Sequence, residues 1–187
     1  TTIVVDSNKT NPGKNGTITI KAKTLWSPSG DSGSKYTAAH GIAVGNFSQR
    51  FNKKVSEDLV KTTINADVVI EELRGGSIKT TGISSMDCSD LAINGRFTIK
   101  PGAISLMQWN RGDQSKTYGI YMIGSNNTIS ITSADIDDSK NGSLSDLIKT
   151  NESLWGGKTE KNVLRIGGGT LKVKENQNCL LYTSPSP

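Results

Sequence analysis

Short runs of alternating apolar and polar residues, each closed by Gly, Asn, Asp or Ser, are the feature that most constrains this fold. In residues 17–22, for example, Ile18, Ile20 and Ala22 fall on one side of an extended backbone, and Thr and Lys fall on the other. Successive side chains of a β-strand point to opposite faces, so one face of such a run is buried and the other is solvated. The chain is therefore predicted to be all-β.

The predicted strands are residues 17–22, 41–44, 63–70, 77–80, 96–100, 103–107, 118–123, 128–136, 163–166 and 170–173. Helical spacing is confined to two short segments, 55–60 and 144–148. Both lie in longer polar stretches, 46–62 and 137–162, which we predict to be loop insertions between strands. Apolar residues make up only 33% of the chain, but the β-branched runs argue against disorder.

A loose internal repeat indicates how these strands assemble. The block Gly41-Ile42-Ala43-Val44-Gly45 resembles residues 119–124, and a turn followed by a Thr-Ile type strand recurs at residues 15–20, 95–100, 126–131 and 168–173. Units this short cannot bury their apolar face alone, and stacking them creates one continuous core. The repeat favours a parallel β-solenoid. An antiparallel β-sandwich is the alternative, because it also uses short alternating strands and Gly or Asn turns.

The Gly-Ile-Tyr block at 119–121 and the following Asn-Thr-Ile strand resemble passenger segments of bacterial autotransporters. The resemblance implies a right-handed parallel β-helix over residues 1–178, exported and displayed outside the outer membrane. It further implies a non-catalytic, rigid stalk that adheres to host or other cells. Host glycans, matrix proteins and neighbouring coils of a longer chain are the implied partners. Residues 179–187 resemble a translated sequencing adapter, so both natural ends are expected to be missing.

The charge pattern bears on other partners. The net charge is +5, with 22 Lys and Arg against 17 Asp and Glu, but the basic residues are scattered and do not alternate with aromatics. We therefore expect no nucleic-acid partner. No long apolar stretch occurs, so we also expect no membrane insertion by this segment.

Arg111-Gly112-Asp113 spells an integrin-recognition tripeptide between Trp109-Asn110 and Gln114-Ser115-Lys116. Its polar surroundings predict an exposed turn, although the same residues suit any polar turn. A surface adhesin has a use for this tripeptide. Arg111, Gly112 and Asp113 are therefore the predicted binding residues.

No catalytic site is predicted within the chain. Gly30-Asp31-Ser32-Gly33 matches the nucleophile signature of chymotrypsin-like proteases, but the base that Ser32 requires would have to come from a segment upstream of Thr1. The single histidine, His40, is expected to occupy a turn.

A β-helix carbohydrate-active enzyme or phage tail-spike is the alternative function, with Asp135, Asp137 and Asp138 as the nearest acidic cluster. Those carboxylates are adjacent in one segment, whereas such a site needs them assembled across coils. A fimbrial subunit built as a sandwich is a third possibility.

Neither a metal nor a cofactor is predicted. The segment beginning Asp137-Asp138-Ser139 resembles a calcium loop but carries Ile148 where a bidentate Glu belongs. Gly156-Gly157-Lys158-Thr159 resembles the end of a phosphate-binding loop, but Glu152 stands where its first Gly is required.

Overall fold

The computed structural model describes residues 2–6, 16–23, 38–45, 59–75, 79–106, 116–140, 142–153 and 156–173. Over these residues the chain is all-β. The described residues contain no helix that is long and apolar enough to cross a membrane. The strands are β1 (Thr2–Asp6), β2 (Gly16–Lys23), β3 (Ala38–Gly45), β4 (Val60–Arg74), β5 (Lys79–Met86), β6 (Ser89–Ile99), β7 (Ile104–Ser105), β8 (Lys116–Ile123), β9 (Thr128–Asp137), β10 (Asp146–Glu152), β11 (Val163–Ile166) and β12 (Gly169–Lys172).

The strands form two sheets. The eight-stranded sheet has the order β1-β4-β6-β9-β11, with β2 and β7 paired to β4 and with β12 paired to β9. The four-stranded sheet has the order β10-β8-β5-β3. From β3 to β6 the chain alternates between the sheets, and every strand pairing in the described residues is parallel. The antiparallel sandwich is therefore wrong for this part of the chain.

The register places similar apolar residues on one another in columns. Ile64 pairs with Ile93, Ile93 with Ile131, and Ile131 with Ile166. A second column runs through Ile20, Ile70, Ile99, Ile136 and Leu171. The middle members of both columns are buried in one hydrophobic core. Fully burying an aliphatic side chain is worth about 1.5–3 kcal/mol, so these columns hold neighbouring strands together.

In the smaller sheet the predicted Gly-Ile repeat is confirmed. Ile42 pairs with Ile83 and Ile83 with Ile120, so the blocks at Gly41 and Gly119 are structurally equivalent. The same motif at Gly82 was missed, because the predicted strand ended at residue 80, whereas β5 continues to Met86.

The Thr-Ile repeat is confirmed only in part. Ile18 and Phe97 lie in one column through Val68, as their sequence similarity predicts. Ile129 instead pairs with Leu91, and Leu171 pairs with Ile136, so these two residues belong to other columns. Sequence similarity therefore identified the alternating strand pattern correctly, but it predicted the register correctly for only some of the strands.

The predicted loop at residues 137–162 is wrong where it covers 146–152, and the helical spacing at 144–148 does not form a helix. Asp146–Glu152 is strand β10, which pairs with β8 through Ile148 and Ile120. A helix of five residues is unstable because helix nucleation is costly. Pairing with β8, in contrast, gives the backbone N–H and C=O groups of this segment hydrogen-bond partners. In the other predicted insertion, residues 46–58 lie outside the described residues, and Val60 begins β4.

The turns that lead from the smaller sheet back to the larger one share a backbone conformation. Cys88, Asn126 and Lys161 all have positive φ, at 52°, 59° and 58°. Each precedes the residue that begins or adjoins the next strand, namely Ser89, Asn127 or Asn162. The turns also bond to each other, since Cys88 N donates to Ser125 O at 3.0 Å and Asn126 N to Glu160 O at 3.0 Å.

Candidate functional site

The outward face of the smaller sheet carries a cluster of aromatic and ionisable side chains. Ile120 and Met122 of β8 belong to the main core, whereas Tyr118, Tyr121 and Ile123 form a separate cluster with Met86. Gly119 allows this arrangement, because a Cβ at this position would lie 2.5 Å from Leu147 O and 3.5 Å from Ile136 Cδ1 on the core side. Tyr118 and Tyr121 consequently share the outward face.

Lys79, Tyr118 and Tyr121 make direct contact on this face, and we refer to them as the lysine–tyrosine cluster. The two tyrosine rings are stacked, with centroids 4.5 Å apart and an interplanar angle of 11°. The Nζ of Lys79 donates a hydrogen bond to Tyr121 OH and lies 4.2 Å from the centroid of that ring. Cation–π attraction therefore adds to a charge-assisted hydrogen bond.

Burial shifts the protonation equilibria of all three groups. It lowers the pKa of Lys79, with the carboxylate of Glu152 acting in the opposite direction. It raises the pKa of both tyrosines, and the charge of Glu152 raises them further. The phenols therefore remain protonated at neutral pH. They can donate and accept hydrogen bonds, but they cannot abstract a proton.

His40 extends the outward face onto β3. Its Nδ1 lies 2.7 Å from the Oγ1 of Thr81, the residue with which it is in register on β5. Thr81 is buried and His40 is half-buried. Burial lowers the pKa of His40, and the positive charge of Lys79 lowers it further. The expected turn position of His40 is wrong, because the residue lies within a strand.

Among the described residues of the outward face, one buried hydroxyl has no hydrogen-bond partner. Ser84 has 0% exposure, and its Oγ makes no hydrogen bond. Ile83 faces the core, and Ser85 bonds to Ser89 and Asn127 at the turn, so the intervening Ser84 faces outward. It is in register with Tyr121. Leaving a buried hydroxyl unpaired costs about 1–3 kcal/mol, so this atom requires an explanation.

The carboxylates considered for glycoside chemistry are each engaged by neighbouring groups. Asp135 pairs with Arg96 at 3.1 Å and accepts from Thr170 N at 3.1 Å. Asp137 pairs with Lys172 at 3.6 Å. Asp138 is buried and accepts from Leu144 N at 2.9 Å and from Ser143 Oγ at 3.1 Å. Alternation places Asp137 on the outward face of the larger sheet and Asp138 at a turn, so the two do not converge.

The segment that resembles a calcium loop serves as a hydrogen-bonded turn. Asp137 Oδ1 accepts from the backbone N of Ser139 at 3.0 Å and from its hydroxyl, and these bonds lower the pKa of Asp137. In the described part of the chain, no group of three or more His, Cys, Asp and Glu residues is arranged to hold a metal ion. The segment 156–159, which resembles the end of a phosphate-binding loop, is bonded to a turn. Ser125 Oγ donates a hydrogen bond to Lys158 O at 2.8 Å.

Several predicted residues lie outside the described residues: Arg111, Gly112, Asp113, Ser32 and the tail 179–187. The lysine–tyrosine cluster was missed in the sequence. Lys79 and Tyr121 are 42 residues apart, and only the pairing of β5 with β8 brings them together. The Gly-Ile motif at 82–83 and 119–120 is the signal that could have aligned them.

Comparisons with protein-family models, with curated proteins and with solved structures found no match to this chain.

Proposed function

We propose that residues 1–178 form a right-handed parallel β-helix that acts as the rigid stalk of a surface-displayed passenger, outside the outer membrane of a bacterium. The observation that carries this proposal is an outward column in which Thr19, Val69, Thr98, Asp135 and Thr170 stand in register on five parallel strands. A chain that returns to the same register in successive strands extends along one axis. Extension and display are the functions that such a shape serves best.

Contacts between neighbouring strands support the rigidity of the proposed stalk. On the larger sheet Arg96 pairs with Asp135, and Lys100 pairs with Glu71, each across adjacent strands. Each exposed ion pair is worth no more than about 1 kcal/mol, but together they fix the register of outward side chains. Asn94 adds a side-chain hydrogen bond to Asn65 at 2.7 Å.

Adhesion is the second part of the proposal. Arg111, Gly112 and Asp113 remain the proposed contact with matrix proteins, and host glycans are the other proposed ligand class. Beads coated with the purified chain are expected to bind a subset of immobilised matrix proteins or glycans. The D113E variant, which keeps the charge and lengthens the side chain, should lose the matrix-protein signal and keep any glycan signal.

The experiment also addresses the carbohydrate-active enzyme. Each polysaccharide that is tested for binding is also incubated with the chain, and new reducing or unsaturated ends are measured. Binding without cleavage supports the adhesive stalk. Cleavage that disappears in D135N or D137N would show that the chain is a carbohydrate-active enzyme and would overturn the proposal. If the chain neither binds nor cleaves any of the polymers, adhesion has no support.

A further inference from the structure

A column of glycines crosses the smaller sheet and stops before β10, the last strand of that sheet in the described residues. Gly41, Gly82 and Gly119 each precede the isoleucine of their Gly-Ile motif, and those isoleucines are in register. A Cβ on each glycine would meet a backbone oxygen of the following strand. The distances are 2.7 Å from Gly41 to Gly82 O, 2.5 Å from Gly82 to Gly119 O and 2.5 Å from Gly119 to Leu147 O. Each of these strands therefore needs glycine for the next strand to pair with it.

Leu147 occupies the position of these glycines on β10, because it precedes Ile148, which is in register with Ile120. Unlike the glycines, Leu147 carries a Cβ. The column directs that atom to the place where a backbone oxygen of a further parallel strand would lie. A strand that paired with β10 as β10 pairs with β8 would meet the contact that a Cβ makes at Gly119, 2.5 Å. The register of β10 also shifts after Lys149, and such an irregularity on an edge strand disrupts the ladder that another strand would use.

The side chain of Leu147 covers the end of the main core. A Cβ on Gly82 would lie 3.0 Å from Ile99 Cδ1, and a Cβ on Gly119 would lie 3.5 Å from Ile136 Cδ1, so this position faces the core. Leu147 is partly buried and packs against the same core. Its isobutyl group therefore shields apolar surface at the end of the stack from water.

Charges on the larger sheet oppose the head-to-tail stacking of two copies. Lys100 pairs with Glu71, and Lys172 pairs with Asp137, each directly after the isoleucine–leucine column of that sheet. The hydrogen bond from Lys100 and the charge of Lys21 both lower the pKa of Glu71, so Lys21 extends this row of alternating charges. The row begins and ends on lysine. A second copy stacked in the same register would place its Lys21 beside Lys172, and like charges opposite each other destabilise a sheet.

We propose that Leu147 is a capping residue that keeps the free edge of β10 from accepting another parallel strand, in particular β3 of a second copy of this chain. Its Cβ blocks the approach of the incoming backbone, and its isobutyl group covers the core that the incoming strand would otherwise bury. Lys172 adds charge repulsion on the larger sheet. This role involves no ligand and is independent of display and adhesion.

The test measures sedimentation velocity of the purified chain at increasing concentration for the wild type, L147A and L147G. Both variants remove the isobutyl group, but only glycine removes the Cβ, so L147A is the matched control. The sedimentation coefficient of the wild type and of L147A should not change with concentration. That of L147G should rise as copies pair head to tail. Adding K172E to L147G should lower the concentration at which half of the chain is associated by about threefold, because it replaces a like pair by an opposite pair.

Spin labels identify the register of the associated L147G chains. One sample carries a label at Thr170 and the other at Thr19, positions that belong to one outward column. Head-to-tail stacking places the two labelled backbones one strand spacing apart, about 4.8 Å. Mixing the samples should therefore broaden the continuous-wave electron paramagnetic resonance spectrum. Association without this broadening would be non-specific and would overturn the proposal.

Two further outcomes would contradict the capping role of Leu147. One is head-to-tail association of the wild type, and the other is an L147G variant that is folded by circular dichroism yet as monomeric as L147A. K172E carries the test if L147G does not fold, since the Lys172 side chain is 59% exposed. K172E alone should remain monomeric, because Leu147 still blocks β10. Its association would show that charge alone protects this end.

Discussion

The side-chain amide of Asn127 bonds to that of Asn162, which occupies the equivalent position before the next strand of the larger sheet. Asn127 Nδ2 and backbone N both donate to Asn162 Oδ1 at 3.1 Å. Asn127 also donates to Ile123 O at 2.9 Å and accepts from Ser89 Oγ at 2.9 Å. With 0% exposure, this side chain ties three successive turns together inside the molecule.

Replacing Asn127 by Ala removes these bonds and leaves buried hydroxyls without an acceptor. We expect N127A to lower the free energy of unfolding by about 2–4 kcal/mol, because a lost hydrogen bond costs about 1 kcal/mol and a stranded buried group costs more. Urea denaturation measures the change. The control N94A removes an exposed amide pair and should cost less than about 1 kcal/mol. Equal effects of the two variants would show that the turn amide has no special structural role.

The close approach of Gly82 to its neighbours makes a second prediction. A Cβ on Gly82 would lie 2.5 Å from Gly119 O and 3.0 Å from Ile99 Cδ1, so β5 and β8 would have to separate. We expect G82A to destabilise the protein by at least about 2 kcal/mol, within the range for overpacked cores. In G168A the added methyl meets nothing within 4 Å, and its effect should stay within about 0.5 kcal/mol. Thermal denaturation of both variants decides the comparison.

The isoleucine column predicts a gradient of stability. Ile93 is 1% exposed in the middle of its column, whereas Ile166 is only partly buried on β11. We expect I93A to cost about 2–5 kcal/mol, as for other core Ile-to-Ala changes, and I166A to cost clearly less. Similar losses at both positions in urea denaturation would contradict the column described here.

Acid is expected to destabilise the protein through His40. Its pKa is lowered from 6.5 in the folded state, so at pH values just below 6.5 the unfolded chain binds more protons than the folded chain. The free energy of unfolding should therefore fall as the pH is lowered through this range. In H40Q the decrease between pH 7.5 and 5.5 should be smaller. An unchanged pH dependence would contradict burial of a neutral imidazole, and the single histidine allows its pKa to be read directly by NMR.

Local pattern predicted much of this fold because strand formation depends on alternation and turn residues. Residues 17–22, 118–123 and 163–166 are strands as predicted, and the Gly-Ile blocks are equivalent. β10 was missed because Leu147 and Ile148 adjoin polar residues that break the alternation. Its strand conformation depends on pairing with β8, and the paired residues, such as Ile148 and Ile120, are 28 residues apart in the sequence.

The lysine–tyrosine cluster could not be predicted for the same reason. Lys79 lies at the start of a strand whose extent was predicted incorrectly, and its partner Tyr121 belongs to the next strand of the smaller sheet. Nothing in either local segment distinguishes these residues from ordinary surface Lys and Tyr. The contact follows from register, which depends on the lengths of intervening turns.

The central claim, that parallel strands stack in one register along an axis, is tested most directly by a distance between spin labels at Thr19 and Thr170. These outward positions are separated by four strand steps through Val69, Thr98 and Asp135. At about 4.8 Å per step, double electron–electron resonance should find a narrow distribution centred at about 19 Å between the labelled backbones. A broad distribution, or a distance beyond about 30 Å, would contradict the stacked arrangement.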